Sequence, residues 1–278
     1  MEHVLWTDAR PPLRDPILLA AFEGWGDAGD AASTAARHIR DRLGGETFAE
    51  IEPEPFYDFT DSRPVVRLSD QGRQIDWPDN SFAAVSLPDA SRDLIVLVGV
   101  EPQLLWKTYS RQILSVIDAF DVKLVVTMGA LIADVVHSRP TRVYTAGYDT
   151  ELNKRLDLQA PTYEGPTGIV GVLHDALGDH DIGSVSLWGS VPSYVPNATS
   201  PKAALALVEK ASEVLQLSVP TTALEIGAAA YERQVTELID DHHETQAYVA
   251  ELEEAYDSMQ PESGADLISE LEQYLKEL

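Results

Sequence analysis

Two rhythms of apolar residues run along the first 220 positions of the chain. Asp93 to Gly99 is a continuous apolar run, the signature of a strand buried on both faces. Pro16 to Phe22, Phe48 to Phe56, Val122 to Met128 and Val185 to Trp188 read as further strands. Between them the apolar period lengthens. Ala28 to Leu43 reads as a helix closed by Gly44-Gly45. Leu104 to Phe120 places Leu105, Tyr109, Ile113, Val116, Ile117 and Phe120 on one helical stripe. Gly165-Pro166-Thr167-Gly168 opens a helix through Leu177, and Ser200 with Pro201 supplies an N-cap and first-turn proline for Lys202 to Leu215. Strands alternating with helices predict an α/β fold with a mostly parallel sheet. Val65 to Leu68 and Arg73 to Trp77, joined by Ser69-Asp70-Gln71-Gly72, predict an antiparallel hairpin at the sheet edge.

After Val219-Pro220 the character changes, which divides the chain into an α/β domain over 1–220 and an acidic helical extension over 221–278. Thr222 and Glu225 have capping-box spacing, and Leu224, Ala228, Tyr231, Val235, Leu238, Val249, Leu252 and Tyr256 follow three- and four-residue steps. That seam is interrupted at His242 and Thr245. A long helix packed on the main domain or on a sister subunit is expected, then a short one from Ala265 to Leu278. Residues 225–278 carry 15 acidic and 2 basic side chains, half of the formal charge of −26, so the extension is either a solvated appendage or an interaction arm.

That charge excludes an electrostatic footprint for nucleic acid or an anionic membrane surface. No stretch approaches the roughly 20 apolar residues of a membrane span, and the N-terminus lacks the basic and apolar regions of a signal peptide. The cytoplasm is the expected location. There is no cysteine, hence no disulfide, Cys-based zinc site or Cys nucleophile. The histidines form no H-E-x-x-H, and His242 and His243 are neighbours that point apart on a helix, so no metal is expected.

Gly24-Trp25-Gly26-Asp27-Ala28-Gly29 spells G-x-G-x-x-G between a strand and a helix. A phosphate cradle needs an electropositive helix start, whereas Asp27 and Asp30 would repel the anion there. Trp25 also fills the turn where pyrophosphate must pass, so no dinucleotide cofactor is expected, although Glu50 and Glu52 lie at a suitable distance downstream. Asp27 reads instead as a helix cap. In parallel sheets ligands bind outside the carboxyl ends of the strands. The predicted ends collect Glu23, Trp25, Asp27, Glu101, Trp106, Trp188 and Tyr194 into a candidate crevice, with Thr167 at a helix start and Arg139 and Arg142 in a loop nearby. Glu23 and Glu101 could form an acid and base pair if a dry pocket separated their pKa values, or could bond backbone amides. The two arginines could bind a carboxylate or phosphate, or neutralise neighbouring acids. Thr167 could join a small-anion site or belong to an ordinary helix entry. No serine lies in G-x-S-x-G, and no catalytic residue can be assigned.

Taken together, Glu23 to Ala31, Gly99-Val100-Glu101-Pro102 with Trp106, Gly129 to Asp134 with Arg139-Pro140, Tyr163 to Gly168, and Trp188 with Val191-Pro192-Ser193-Tyr194 resemble the PAC2 family, named for proteasome assembly chaperone 2, across residues 15–220. Tyr231-Glu232-Arg233-Gln234-Val235 resembles the actinobacterial version. The resemblance implies a three-layer α/β/α core similar to nucleoside phosphorylases, a helical C-terminal addition, and a homo-oligomer, with a trimer expected. It also implies an assembly or interaction factor without enzymatic activity, with proteasome components as candidate partners. The alternative is a small-ligand-binding, hydrolytic or phosphorylase-like enzyme that uses the crevice.

Overall fold

The computed structural model describes residues 2–7, 10–69, 72–150, 153–154, 158–240 and 243–258. The expected helix from Ala265 to Leu278 and the placement of His242 lie outside the described residues. The strands are β1 (Val4–Trp6), β2 (Ile17–Glu23), β3 (Glu46–Ile51), β4 (Val65–Ser69), β5 (Gly72–Asp76), β6 (Asn80–Val85), β7 (Leu94–Val100), β8 (Leu124–Ala133), β9 (Val143–Gly147) and β10 (Gly183–Pro192). The helices are α1 (Ala31–Arg42), α2 (Trp106–Phe120), α3 (Ile169–Gly178), α4 (Pro201–Leu215), α5 (Thr222–Asp240) and α6 (His243–Ser258).

Eight strands form one sheet in the order β1-β3-β6-β7-β2-β8-β10-β9. Its centre, β7-β2-β8-β10, is parallel, and the outer pairings are antiparallel. The strand and helix alternation therefore fixes the middle of the sheet, while β1, β3, β6 and β9 complete it by antiparallel pairing. Alternating residues of β2 feed two cores. Leu19 and Ala21 join the core under α1 and α4, and Leu18, Ala20 and Phe22 join the core under α2 and α3. Small residues, Ala31, Ala32, Ala35 and Ala36, bring α1 close to the sheet. The result is the three-layer α/β/α arrangement.

The β4-β5 hairpin forms a separate two-stranded sheet with Val66 opposite Ile75, and every one of its described residues is exposed. Ser200 caps α4 by accepting from the Ala203 amide at 3.2 Å. The C-terminal helices fold back on the same chain: α5 lies against α4, and Tyr231, Val235, Ile239 and Val249 form a third core with Val136 and Val195. No helix of the described residues is long and apolar enough to cross a membrane.

Candidate functional site

The loop after β2 is built to lie across the strand tips. Gly24 takes φ +128°, and an added Cβ there would sit 3.1 Å from the Cβ of Glu101. Gly29 takes φ +59° where its carbonyl accepts from Ser200 at 2.7 Å, so both glycines serve close backbone approaches that other residues resist. The Ala130 amide donates to Gly26 O at 2.8 Å and the Glu101 amide to Glu23 O at 2.8 Å. Asp30 holds the N-cap position of α1, and the carboxylate of Asp27 serves the first turn in its place: Oδ1 accepts from the amides of Ala32 at 2.7 Å and Ser33 at 3.2 Å. The helix start that a phosphate would need is thereby occupied by a carboxylate. Burial pushes the Asp27 carboxyl up, and the Ser33 hydroxyl and these amides oppose the shift. Its Oδ2 has no donor within hydrogen-bond distance.

Glu101, at the tip of β7, ties the loop to the opposite wall. Its Oε2 accepts from Trp25 N at 3.2 Å and its Oε1 from Ile169 N at 2.8 Å, joining the β2 loop to the start of α3. Gly168 leaves room for this contact, since a Cβ there would approach Oε1 to 2.6 Å. Across the mouth, Trp188 on β10 stands in register with Gly129 on β8, and its indole covers that glycine so closely that a Cβ would lie 2.5 Å away.

These elements enclose a cavity of about 520 Å³. Of the residues expected there, Trp25, Asp27, Glu101, Thr167 and Trp188 line it. The remaining five face elsewhere. Glu23 pairs with Arg37 on α1 and lines a separate groove beneath the hairpin. This pairing and the amide bonds of Glu101 replace the expected acid and base pair. Trp106 turns back to donate to the Pro102 carbonyl and packs on the α2 core. Arg139 binds Asp257 on α6 with both Nε and Nη2, at 2.8 and 2.6 Å. Arg142 stacks 5.1 Å over the Tyr256 ring, and Tyr194 meets the backbone amide of His137 at 2.8 Å. The acidic helices draw these last three away from the cavity.

In their place the cavity gains Tyr144, Tyr148 and Tyr163. Tyr144 pairs with Trp188 across β9 and β10, a register that no local pattern announces. Tyr148 stacks on His174, ring centroids 3.8 Å apart and planes within 9°. His174 is itself buried, bonded to Thr127 and Ser184 hydroxyls at 2.8 Å each, and burial lowers its pKa to about 3. It is a neutral wall support. Beneath the C-terminal helices His137 is likewise lowered, first by burial and then by Lys202, and its Nε2 lies 3.0 Å from the Thr236 hydroxyl. Among the described residues no group of three acidic or histidine side chains is arranged to hold a metal ion.

The fold, a mixed sheet between two helical layers with a crevice at its parallel strand tips, defines the class. A profile of the PAC2 family matches residues 21–239, and the chain belongs to that family. It is similar to a crystal structure of a PAC2 family protein from Streptomyces avermitilis, with 40% identity, 84% of this chain and 100% of that one covered, and a TM-score of 0.79. A Mycobacterium tuberculosis proteasome-assembly chaperone homologue is also 40% identical, with 84% and 99% covered and a TM-score of 0.76. Both sources are actinobacteria. Pyrococcus furiosus PbaB, an archaeal proteasome activator, shares the fold at 21% identity, with 86% and 99% covered and a TM-score of 0.69. A search of curated proteins returns no match.

Proposed function

We propose that this chain is a cytoplasmic, non-enzymatic assembly factor that binds proteasome subunits and works as a homo-oligomer of α/β domains bearing acidic helical extensions. The observation that carries this reading is its 40% identity, over 99% of the relative's length, to the mycobacterial proteasome-assembly chaperone homologue. The state of the cavity acids supports the non-enzymatic part: the Glu101 oxygens and Asp27 Oδ1 accept from backbone amides, which makes them structural ties. The hairpin supports self-association. A two-stranded ribbon is marginal in water, yet Val65, Val66, Leu68 and Ile75 are all exposed, Leu68 by 85%. A cover that is present whenever the protein is folded is most simply a second copy of the chain.

Purified actinobacterial proteasome α and β subunits mixed with the full chain test the assembly role on native gels. Faster appearance of assembly intermediates and co-elution of the chain with α subunits are expected; an unchanged rate with no co-elution at excess chain overturns it. Light scattering after size exclusion tests the oligomer, which Leu68→Asp should reduce in mass. A wild-type monomer removes that part of the reading.

A further inference from the structure

The cavity at the strand tips has a chemistry more specific than its shape. A volume of about 520 Å³ is that of a small-molecule site. Its wall includes six aromatic rings, those of Phe22, Trp25, Tyr144, Tyr148, Tyr163 and Trp188. Such faces suit a flat partner, and their electron-rich centres suit a positive one. The charged groups point the same way. Asp27, Asp30 and Glu101 line the cavity, and no Lys, Arg or His among the described residues does. A phosphate or carboxylate would enter against these acids with no cation among the described residues to receive it.

Two of these acids are held in place by backbone amides. Glu101 has both oxygens bonded and Asp27 Oδ1 receives two amides, while Asp27 Oδ2 is shielded from the cavity. We infer that the cavity binds a flat nitrogen heterocycle of neutral or positive charge, the class that includes nucleosides without phosphate and aromatic amines, stacked among these rings beside Asp30 and Glu101. Trp25, 58% exposed at the rim, closes over the ring.

Probes that keep the ring and change only the charge isolate the claim. Tryptamine is compared with indole-3-acetate, and adenosine with AMP, by calorimetric titration of the full chain. Tryptamine and adenosine should bind in the range of about 1 mM or tighter, and each anionic counterpart should bind about tenfold more weakly. Trp25→Ala, at an exposed position, should weaken tryptamine about fivefold. Asp30→Asn removes the charge of an exposed lining acid at a left-handed φ of 51° that Asn tolerates, and should reduce the preference for tryptamine over indole-3-acetate. Circular dichroism checks that both variants fold, and Trp25→Ala decides alone if Asp30→Asn does not. Absence of heat with tryptamine and adenosine at about 5 mM, equal binding of the anions, or indifference to Trp25→Ala each overturns the inference. Proteasome assembly does not depend on this result, so either reading can fail without the other.

Discussion

The same edge of the sheet ends in two different ways. Around the β2 loop, acids bond to backbone amides and the aromatic rings are left to line an open cavity. Around the loops after β8 and β10, α5 and α6 form a cover whose ties run from side chain to side chain. There Tyr248 donates to Asp134 at 2.7 Å, Arg139 grips Asp257, and Lys202 pairs with Glu232. A tie to backbone fixes the chain path itself. A tie between side chains fixes only how one surface lies on another, so the covered half should open locally and the uncovered half only with the whole domain.

The largest expected effect is a pH dependence in the cavity half. Among the described residues His174 has no acidic partner, and burial holds its pKa near 3 against an unfolded value of about 6.5. The native state therefore stays neutral while the unfolded chain takes up a proton. Stability is full above about pH 6.5 and falls on acidification towards pH 3. Between pH 6.5 and 4.5 the loss should be about 2–3 kcal/mol, read from urea midpoints, and His174→Gln should flatten that part of the curve. The slope left in the variant belongs in part to His137, shifted in the same direction. An identical slope in both proteins would remove the neutral support behind the cavity.

Glu101→Ala comes next, with a global destabilisation of about 2 kcal/mol, because two amides lose a charged acceptor. A third variant tests the covered half directly. Tyr248→Phe should cost about 1 kcal/mol and raise amide exchange in α6 without altering that of β2. If it moved the global midpoint as far as Glu101→Ala, the contrast between the two halves would fail. The smallest change is expected from Arg139→Gln, whose partners lie near the surface: faster exchange in α6, shrinking as salt screens the wild-type pair.

Much of the architecture was legible because burial leaves a periodic trace. The runs at β2 and β7 and the stripe of α2 carry it, although α2 starts at Trp106 because Leu105 takes a left-handed φ of +54°. β1 is three residues long and leaves no period. β6 begins with buried Asn80, which packs against Gly99 where a side chain would lie 1.9 Å from its amide oxygen, and such a fit depends on a neighbour distant in sequence. At the site, Asp27 as a cap and the Trp25, Glu101 and Trp188 tips followed from local signals. The tyrosine wall did not, since Tyr144 reaches it only through strand register. Arg139 and Arg142 were legible as loop arginines, but their direction is set by Asp257 and Tyr256 more than a hundred residues later.

The position of β2 also has a consequence for synthesis. It leaves the ribosome with residues 17–23, yet both of its neighbours, β7 and β8, come from residues beyond 93. For that interval Ile17-Leu18-Leu19-Ala20-Ala21-Phe22 is an apolar ribbon with two vacant edges, attractive to holdases and to other nascent chains. Ribosome-arrested chains ending near residue 90 should be cut by protease within this segment, and chains long enough to expose β8 should resist.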